Sequence, residues 1–131
     1  MIGKLCCLGA TVILPSSACA QAPTKPEAQA VVEKMLTAMQ KHDQAAFDSV
    51  VLKGAGIIFY DVMAPLNVNT PPEELGCNQP KITKVEPSNL ADNGIAMTVV
   101  WQCKPQLPDW DGKMAIKFHV ENGKVTIGER V

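Results

Sequence analysis

The stretch that decides the fold is MAIKFHVENGKVTI, residues 114–127. Apolar residues occupy every second position of its first half, which predicts a strand with one buried face. Asn122-Gly123 predicts a two-residue type I′ turn, because both central residues of that turn have positive φ. The resulting hairpin register gives three facing pairs: Val120 with Val125 and Phe118 with Ile127 on the core face, and His119 with Thr126 on the other face.

Further strands are predicted upstream of this hairpin. Residues 95–103 alternate between an apolar side and a mixed side, and Trp101 and Cys103 fall on the apolar side. Residues 81–86 form a weaker strand, which a turn around Asp92-Asn93-Gly94 connects to residues 95–103. Residues 57–63 are a compact apolar run that predicts one more strand. The proline-rich segment that follows, residues 64–80, is expected to wrap as a loop.

Two helices are predicted before the strands. The first runs from Glu27 to about Lys41, with Thr24 as its cap and Pro26 in the tolerated first turn. Its apolar residues form a single stripe: Ala28, Val31, Val32, Met35, Leu36 and Met39. Asp43 is expected to cap a second, shorter helix that reaches about Leu52, and residues 53–56 are expected to end it.

Helices followed by a run of strands predict the α+β class, with the N-terminal helices packed on a curved antiparallel sheet. This order excludes a doubly wound parallel sheet. A chain of 131 residues has room for one domain.

The first twenty residues have the pattern of a signal peptide. Lys4 precedes an apolar run, and Ala18-Cys19-Ala20 ends in the small-x-small pattern that predicts cleavage after Ala20. The apolar run is too short for a stable membrane span. Lipidation at Cys19 is disfavoured because Ser16 stands where a lipobox usually has leucine. We therefore expect a signal peptide over residues 1–20, a flexible lead-in over 21–26, a single domain over 27–131, and a periplasmic or secreted location.

Composition excludes several classes of function. The chain has 47% hydrophobic and 19% charged residues, which is ordinary for a packed globular domain. Without residues 1–20 it keeps 11 basic and 13 acidic side chains. That balance provides no basic surface for nucleic acid and no polybasic patch for an anionic membrane.

Two cysteines, Cys77 and Cys103, belong to the predicted mature domain. An even pair in an exported domain predicts a disulfide. The chain has no Cys-x-x-Cys motif, and neither cysteine has a histidine at ligand spacing, so neither a metal site nor a cofactor is predicted.

Residues 27–51 and 56–61, with the closing strands over 97–131, resemble the nuclear transport factor 2-like superfamily. The residues that carry the resemblance are the amphipathic helix, the segment His42-Asp43-Gln44-Ala45-Ala46-Phe47, and Gly56-Ile57-Ile58-Phe59-Tyr60-Asp61. The resemblance implies a cone-shaped α+β fold whose interior can form an apolar cavity. Its members include ketosteroid isomerase, which uses an aspartate base with tyrosine and protonated-acid donors. The related cystatin-like arrangement, one helix on a meander, is the alternative fold.

The resemblance implies a set of candidate site residues: Val31, Met35, Phe59 and Trp101 for the pocket, and Tyr60 and Asp61 for catalysis. Tyr60 and Asp61 cannot both face inward from one strand, so we expect a buried Tyr60 hydroxyl and a surface carboxylate at Asp61.

Three other polar or aromatic residues receive local roles. His42 is expected in the inter-helix turn, and His119 is expected to be exposed or paired with Thr126. Trp110 is expected in a loop, where it packs locally or contacts a partner.

These expectations lead to one hypothesis and two alternatives. The leading hypothesis is an exported, non-catalytic binding or accessory domain for a small apolar ligand or a protein partner, with a homodimer left open. The first alternative is a small isomerase-, dehydratase- or hydrolase-like enzyme that uses a cone-shaped pocket. The second is a structural or inhibitor-like module of cystatin type, which would have no cavity.

Overall fold

A computed structural model describes residues 24–105 and 107–131. The predicted signal peptide, with Cys19 and the cleavage site after Ala20, lies outside the described residues. The elements are, in chain order, helices α1 (Lys25–Lys41) and α2 (Gln44–Val50), strands β1 (Val51–Phe59) and β2 (Val62–Pro65), a 3₁₀ helix (Glu73–Leu75), and strands β3 (Lys81–Pro87), β4 (Ile95–Gln102), β5 (Lys113–Glu121) and β6 (Lys124–Arg130). The predicted α+β class is confirmed.

The start of α1 is fixed by a capping box. Thr24 Oγ1 accepts a hydrogen bond from the Glu27 amide at 3.2 Å, and Glu27 Oε1 accepts one from the Thr24 amide at 2.8 Å. The predicted cap is therefore confirmed, and the helix begins at Lys25, two residues before Glu27. It ends at His42, which has left-handed backbone geometry with φ of 54°.

Helix α2 is capped by Asp43 as predicted, but it ends at Val50 and not near Leu52. Residues 51–56 already belong to β1, so the expectation that residues 53–56 are a helix stop is wrong. The glycines of this segment lie where the register between β1 and β6 shifts, between Val51 and Gly56. Gly54 in that irregularity has φ of +85°, a conformation that glycine adopts without strain.

The six strands form one sheet in the order β2-β1-β6-β5-β4-β3. All neighbours pair antiparallel except β1 and β6, which pair parallel. The sheet is therefore mixed and not wholly antiparallel. The chain forms the β1–β2 hairpin at one edge of the sheet and then crosses to the opposite edge, where β3 begins. From there β3, β4, β5 and β6 follow one another back across the sheet, so that β6 comes to lie beside β1 and parallel to it.

The Asn122-Gly123 turn is confirmed, with φ of 53° and 76° at its two residues. Val120 faces Val125 as predicted. Beyond that pair β6 holds one extra residue, so Phe118 faces Gly128 and His119 faces Ile127, and the two other predicted pairs are wrong.

The predicted strand over residues 57–63 is in fact a hairpin. Strand β1 ends at Phe59, Tyr60 and Asp61 form the turn, and β2 returns from Val62. Tyr60 has φ of 55° and is 87% exposed, so the expected burial of its hydroxyl is wrong. A tight turn places both of its central side chains outside the sheet, and this removes Tyr60 from the interior.

The core lies between α1 and one face of the sheet. The buried face of α1 follows the predicted stripe, with Val32 and Met35 fully buried, and α1 contacts β4, β5 and β6. Trp101 and Phe118 pack edge to face with ring centroids 6.3 Å apart. In the part of the chain that the structure describes, no helix has the length and apolar character needed to cross a membrane.

Candidate functional site

A cavity of about 520 Å³ opens between the C-terminal half of α1, the loop that joins β2 to β3, and the end of β4. We call the loop, residues 66–80, the strap, and the space beneath it the α1–strap cavity. Its floor is apolar and consists of Leu36, Met39 and Trp101, all three of which are buried side chains. Pro71, Pro80 and Cys77 contribute the facing wall from the strap.

The strap is anchored at both ends. At its start Leu66 and Val68 are buried, and the Leu66 amide donates to the Ala55 carbonyl at 3.0 Å. At its end Asn78 and Gln102 exchange two hydrogen bonds of 2.9 Å: the Asn78 amide donates to the Gln102 carbonyl, and the Gln102 amide donates to Asn78 Oδ1. The predicted disulfide between Cys77 and Cys103 is present beside them.

The mouth of the cavity carries a histidine held by two oxygen atoms. His42 terminates α1, and its left-handed backbone turns the ring toward the strap. Nδ1 lies 3.0 Å from Asn69 Oδ1, and Nε2 lies 2.9 Å from Glu73 Oε1. The His42 and Glu73 side chains are 44% and 79% exposed, so their pairing adds little to stability in water. It does fix the orientation of an imidazole, which can donate, accept or relay a proton at this position.

The remaining polar side chains of the lining are the Thr70 hydroxyl and three amides, those of Gln40, Asn78 and Gln79. Each amide offers both donors and acceptors, whereas the floor offers none beyond the indole. His42 and Glu73 are the charged types among the lining residues. The arrangement suits a compact molecule with an apolar body and a polar edge.

Of the four predicted pocket residues, Trp101 lines this cavity. Met35 is fully buried in the core, and Val31 and Phe59 are half-buried side chains that pack against the core. None of these three residues lines the cavity. Tyr60 and Asp61 lie in the exposed β1–β2 turn and not among the lining residues.

His42, Asn69 and Glu73 are the polar residues that sequence reasoning did not bring together. His42 was expected in the inter-helix turn, which is where it lies. Asn69 is 27 positions away and joins it only because the strap folds back over the end of α1. No local pattern in residues 64–80 indicates that contact.

A second polar centre lies on the sheet face opposite the helices. His119 is completely buried, with Nδ1 2.7 Å from Ser88 Oγ and Nε2 3.4 Å from Glu129 Oε1. His119 was expected to be exposed or paired with Thr126. The exposure is wrong, because the β3–β4 turn covers this position. The bulge in β6 takes Thr126 out of the facing position, but Thr126 Oγ1 still donates to the His119 carbonyl at 3.3 Å, so the two residues are in contact through the His119 backbone. Burial lowers the pKa of His119, and the neighbouring Glu129 carboxylate partly opposes that effect.

The loop tryptophan has a local role. Trp110 is half-buried against the core, and its Nε1 donates to the Lys113 carbonyl at 3.1 Å. Within residues 24–105 and 107–131, no group of three or more histidine, cysteine, aspartate or glutamate side chains is placed to hold a metal ion.

Comparison with known proteins shows similarity in fold alone. No family model and no curated protein matches the chain. The solved structure of a candidate polyketide cyclase from Sinorhizobium meliloti aligns with a TM-score of 0.52 at 10% identity, over 78% of this chain and 94% of that one. One from Xanthomonas campestris pv. campestris aligns with a TM-score of 0.42 at 13% identity, over 81% and 90%. Two helices packed on a six-stranded mixed sheet are consistent with the nuclear transport factor 2-like fold.

Proposed function

We propose that this domain binds a small molecule with an apolar body and a polar edge in the α1–strap cavity. The observation that carries the proposal is a floor of buried apolar side chains beneath a mouth where His42 is hydrogen-bonded to Glu73 at 2.9 Å. A volume of about 520 Å³ falls within the range of small-molecule sites in proteins.

The chemistry of the lining supports a small ligand over a protein partner. Trp101 is 3% exposed, so a large partner cannot reach it, whereas a small ring beneath the strap can contact the part of the side chain that lines the cavity. The amides at the rim and the His42–Glu73 pair can satisfy hydroxyl or carbonyl groups at the ligand's edge. A hydroxylated ring system has both features.

The similarity in fold to a solved structure suggests a test compound for binding. The Sinorhizobium meliloti structure is named for polyketide cyclisation, and its fold matches that of this chain. An anthraquinone such as emodin combines a flat apolar ring system with hydroxyl and carbonyl groups. Emodin is therefore a suitable test compound for the cavity.

Binding can be measured through the indole at the floor of the cavity. The chain has two tryptophans, so a Trp110→Phe background leaves Trp101 as the sole indole fluorophore. We expect emodin to quench its fluorescence saturably, after correction for absorbance with free N-acetyltryptophanamide. Met39→Ala and His42→Ala should each weaken binding by about fivefold, since each removes a contact of about 1 kcal/mol.

Tyr60→Ala is the matched control for that titration. Tyr60 is exposed and is not among the cavity's lining residues, so its truncation should leave the affinity unchanged. Quenching that is non-saturable, or that is insensitive to both cavity variants, argues against a site beneath the strap. Native mass spectrometry of the purified protein reports any retained molecule and the oligomeric state together.

A second candidate function is enzymatic proton transfer at His42. The observation that favours it is the Glu73 carboxylate 2.9 Å from Nε2, because a carboxylate at one ring nitrogen orients the imidazole and leaves the other, Nδ1, to accept a proton from a substrate that displaces Asn69. The test is the exchange of the α-protons of 1-tetralone, followed by NMR in D₂O. An enzyme should accelerate exchange and lose that acceleration in His42→Gln while retaining ligand affinity; an accessory binding domain should show no acceleration in either protein.

The proposed place of action is outside the cytoplasm, after removal of residues 1–20. The support for this is the apolar run and the Ala18-Cys19-Ala20 pattern. We expect the exported protein to begin at Gln21, which intact-mass measurement tests directly. A product that retains Met1 contradicts it.

A further inference from the structure

The disulfide forms part of the wall of the α1–strap cavity. Cys77 is a half-buried residue of the strap and lines the cavity. Cys103 is 4% exposed and follows β4 by one residue, two positions after Trp101. The cross-link therefore joins a surface loop over the cavity to the strand that supplies the cavity floor.

The two cysteines differ in how firmly their surroundings hold them. The Cys103 amide donates to the Gly112 carbonyl at 2.7 Å, and the Gln102 side chain donates to the Asp111 carbonyl at 3.0 Å, which fixes this end of β4 to the segment before β5. Cys77 lies between Gly76, with φ of +60°, and Asn78 in a segment without α-helix or strand. Near it, the non-covalent ties of the strap to the end of β4 are the pair of hydrogen bonds between Asn78 and Gln102 and the bond from the Lys104 amide to the Leu75 carbonyl at 2.9 Å.

We propose that the Cys77–Cys103 disulfide is a redox gate of the α1–strap cavity: the oxidised form holds the strap in the ligand-binding position, and reduction releases it. The inference rests on the proposed function for its ligand, but the release of the strap can be measured without one. The middle of the strap is joined to α1 through His42, whose partner Glu73 is largely exposed, so water competes for that contact once the covalent tie is lost.

The reaction that opens the gate is thiol–disulfide exchange with a dithiol reductant. A thiolate of the reductant attacks Cys77 Sγ, the bond to Cys103 Sγ breaks, and Cys103 leaves as a thiolate that takes up a proton. The second thiol of the reductant then displaces the Cys77 thiol and closes the reductant's own disulfide. The protein gains two electrons and two protons, and the dithiol loses the same.

The attacking thiolate should reach Cys77 and not Cys103, because Cys103 is buried whereas Cys77 is half-buried and borders the open cavity. With a monothiol such as glutathione in place of the dithiol, the first step should therefore leave the adduct on Cys77. Peptide mapping of the glutathione-treated, alkylated protein tests this. An adduct found mainly on Cys103 contradicts the assigned direction of attack.

Hydrogen exchange followed by mass spectrometry tests the gate on the folded protein. We expect dithiothreitol to raise exchange at least tenfold in residues 69–80 at labelling times short enough that the peptides of α1 and β4–β6 keep their protection in both redox states. Unchanged protection of residues 69–80 in the reduced protein overturns the proposal. A uniform rise across the domain, with loss of the helical circular dichroism, also overturns it, because the cross-link would then be structural throughout.

A variant and a binding measurement separate this inference from the proposed function. Cys77→Ala/Cys103→Ala should exchange like reduced wild type and should not respond to dithiothreitol; if that variant does not fold, reduction of the native wild type decides the question. Emodin affinity in the Trp110→Phe background should fall at least tenfold on reduction. If the oxidised protein does not bind emodin, the proposed ligand class fails while the exchange result still decides the gate.

Discussion

His119 is fully buried between Ser88 Oγ at 2.7 Å and Glu129 Oε1 at 3.4 Å. The Ser88 oxygen accepts hydrogen bonds from the amides of Leu90 and Ala91, so its own proton points to Nδ1, and the neutral ring donates from Nε2 to Glu129. Protonation of the ring would place two hydrogens between Nδ1 and Ser88. Together with burial, this favours the neutral ring in the folded protein.

The lowered pKa of His119 predicts that acid weakens the fold. The unfolded chain binds a proton with the ordinary pKa of 6.5, whereas the folded chain resists it, so the unfolded state holds more protons below that pH. The stabilisation is fully present above pH 6.5 and is lost as pH falls from there toward the folded-state pKa. Urea titrations between pH 7.5 and 5.5 should show a falling free energy of unfolding.

The chain's other histidine provides the control for that measurement. His119→Asn should flatten the pH dependence over this range, whereas His42→Asn, at an exposed site, should keep it. If the free energy of unfolding fell equally with pH in wild type and His119→Asn, the pH dependence would come from groups other than His119.

Gly112 supports the end of β4 through its backbone geometry. It has φ of +86°, and a Cβ at this position would overlap the carbonyl oxygen of Cys103. Gly112→Ala should therefore lower the free energy of unfolding by about 2–4 kcal/mol, from backbone strain and overlap together. Gly123→Ala is the matched control, because its φ is +76° with open space around it, and it should cost only about 1 kcal/mol. Similar losses in thermal or urea unfolding would show that the overlap relaxes.

Helix α1 carries the floor of the cavity, and its first turn depends on the capping box of Thr24 and Glu27. Thr24→Ala removes a side-chain acceptor for an otherwise unpaired amide and should cost about 1 kcal/mol. Thr37→Ala is the control in the same helix, at an exposed interior position where alanine is the better helix former, so stability should rise by a few tenths of a kcal/mol. Equal effects of the two variants in urea unfolding would mean that the box contributes nothing.

Elements with strong local signals were predictable, and those shaped by distant contacts were not. The cap at Thr24 and the Asn122-Gly123 turn follow from residues a few positions apart, and both are confirmed. The start of β1 was missed because Val51 and Gly56 pair with residues of β6 that are about 70 positions away, and this pairing makes a strand of a segment whose local sequence predicts only the end of a helix. The Tyr60-Asp61 turn was missed because the residue with positive φ is Tyr60, and bulky aromatic residues rarely adopt that conformation.

The candidate site shows the same division across the whole molecule. The burial of Trp101 and the disulfide were predicted, because strand alternation and an even pair of cysteines are visible in the sequence. The His42–Asn69–Glu73 contact was not, since it depends on where a proline-rich loop comes to rest. The same long-range folding buried His119 under the β3–β4 turn, against the expectation from alternation.

The stability of the whole domain depends on the cross-link between Cys77 and Cys103, which are 26 positions apart. Closing a loop of this length in the unfolded chain is worth about 3.5 kcal/mol in the chain-entropy model. Reduction should lower the free energy of unfolding by at least about that amount, which is a large share of the roughly 5–15 kcal/mol that stabilises a domain of this size. Urea titrations with and without dithiothreitol measure the difference.

The double variant completes that comparison. Cys77→Ala/Cys103→Ala should match reduced wild type and ignore the reductant, since both lack the same tie to β4. Because an open strap has already lost contacts in the reduced native state, we expect the measured loss to include those contacts as well as chain entropy. A loss below about 1 kcal/mol would mean that the unfolded chain is already constrained near these cysteines, and that the cross-link acts on the strap more than on the fold.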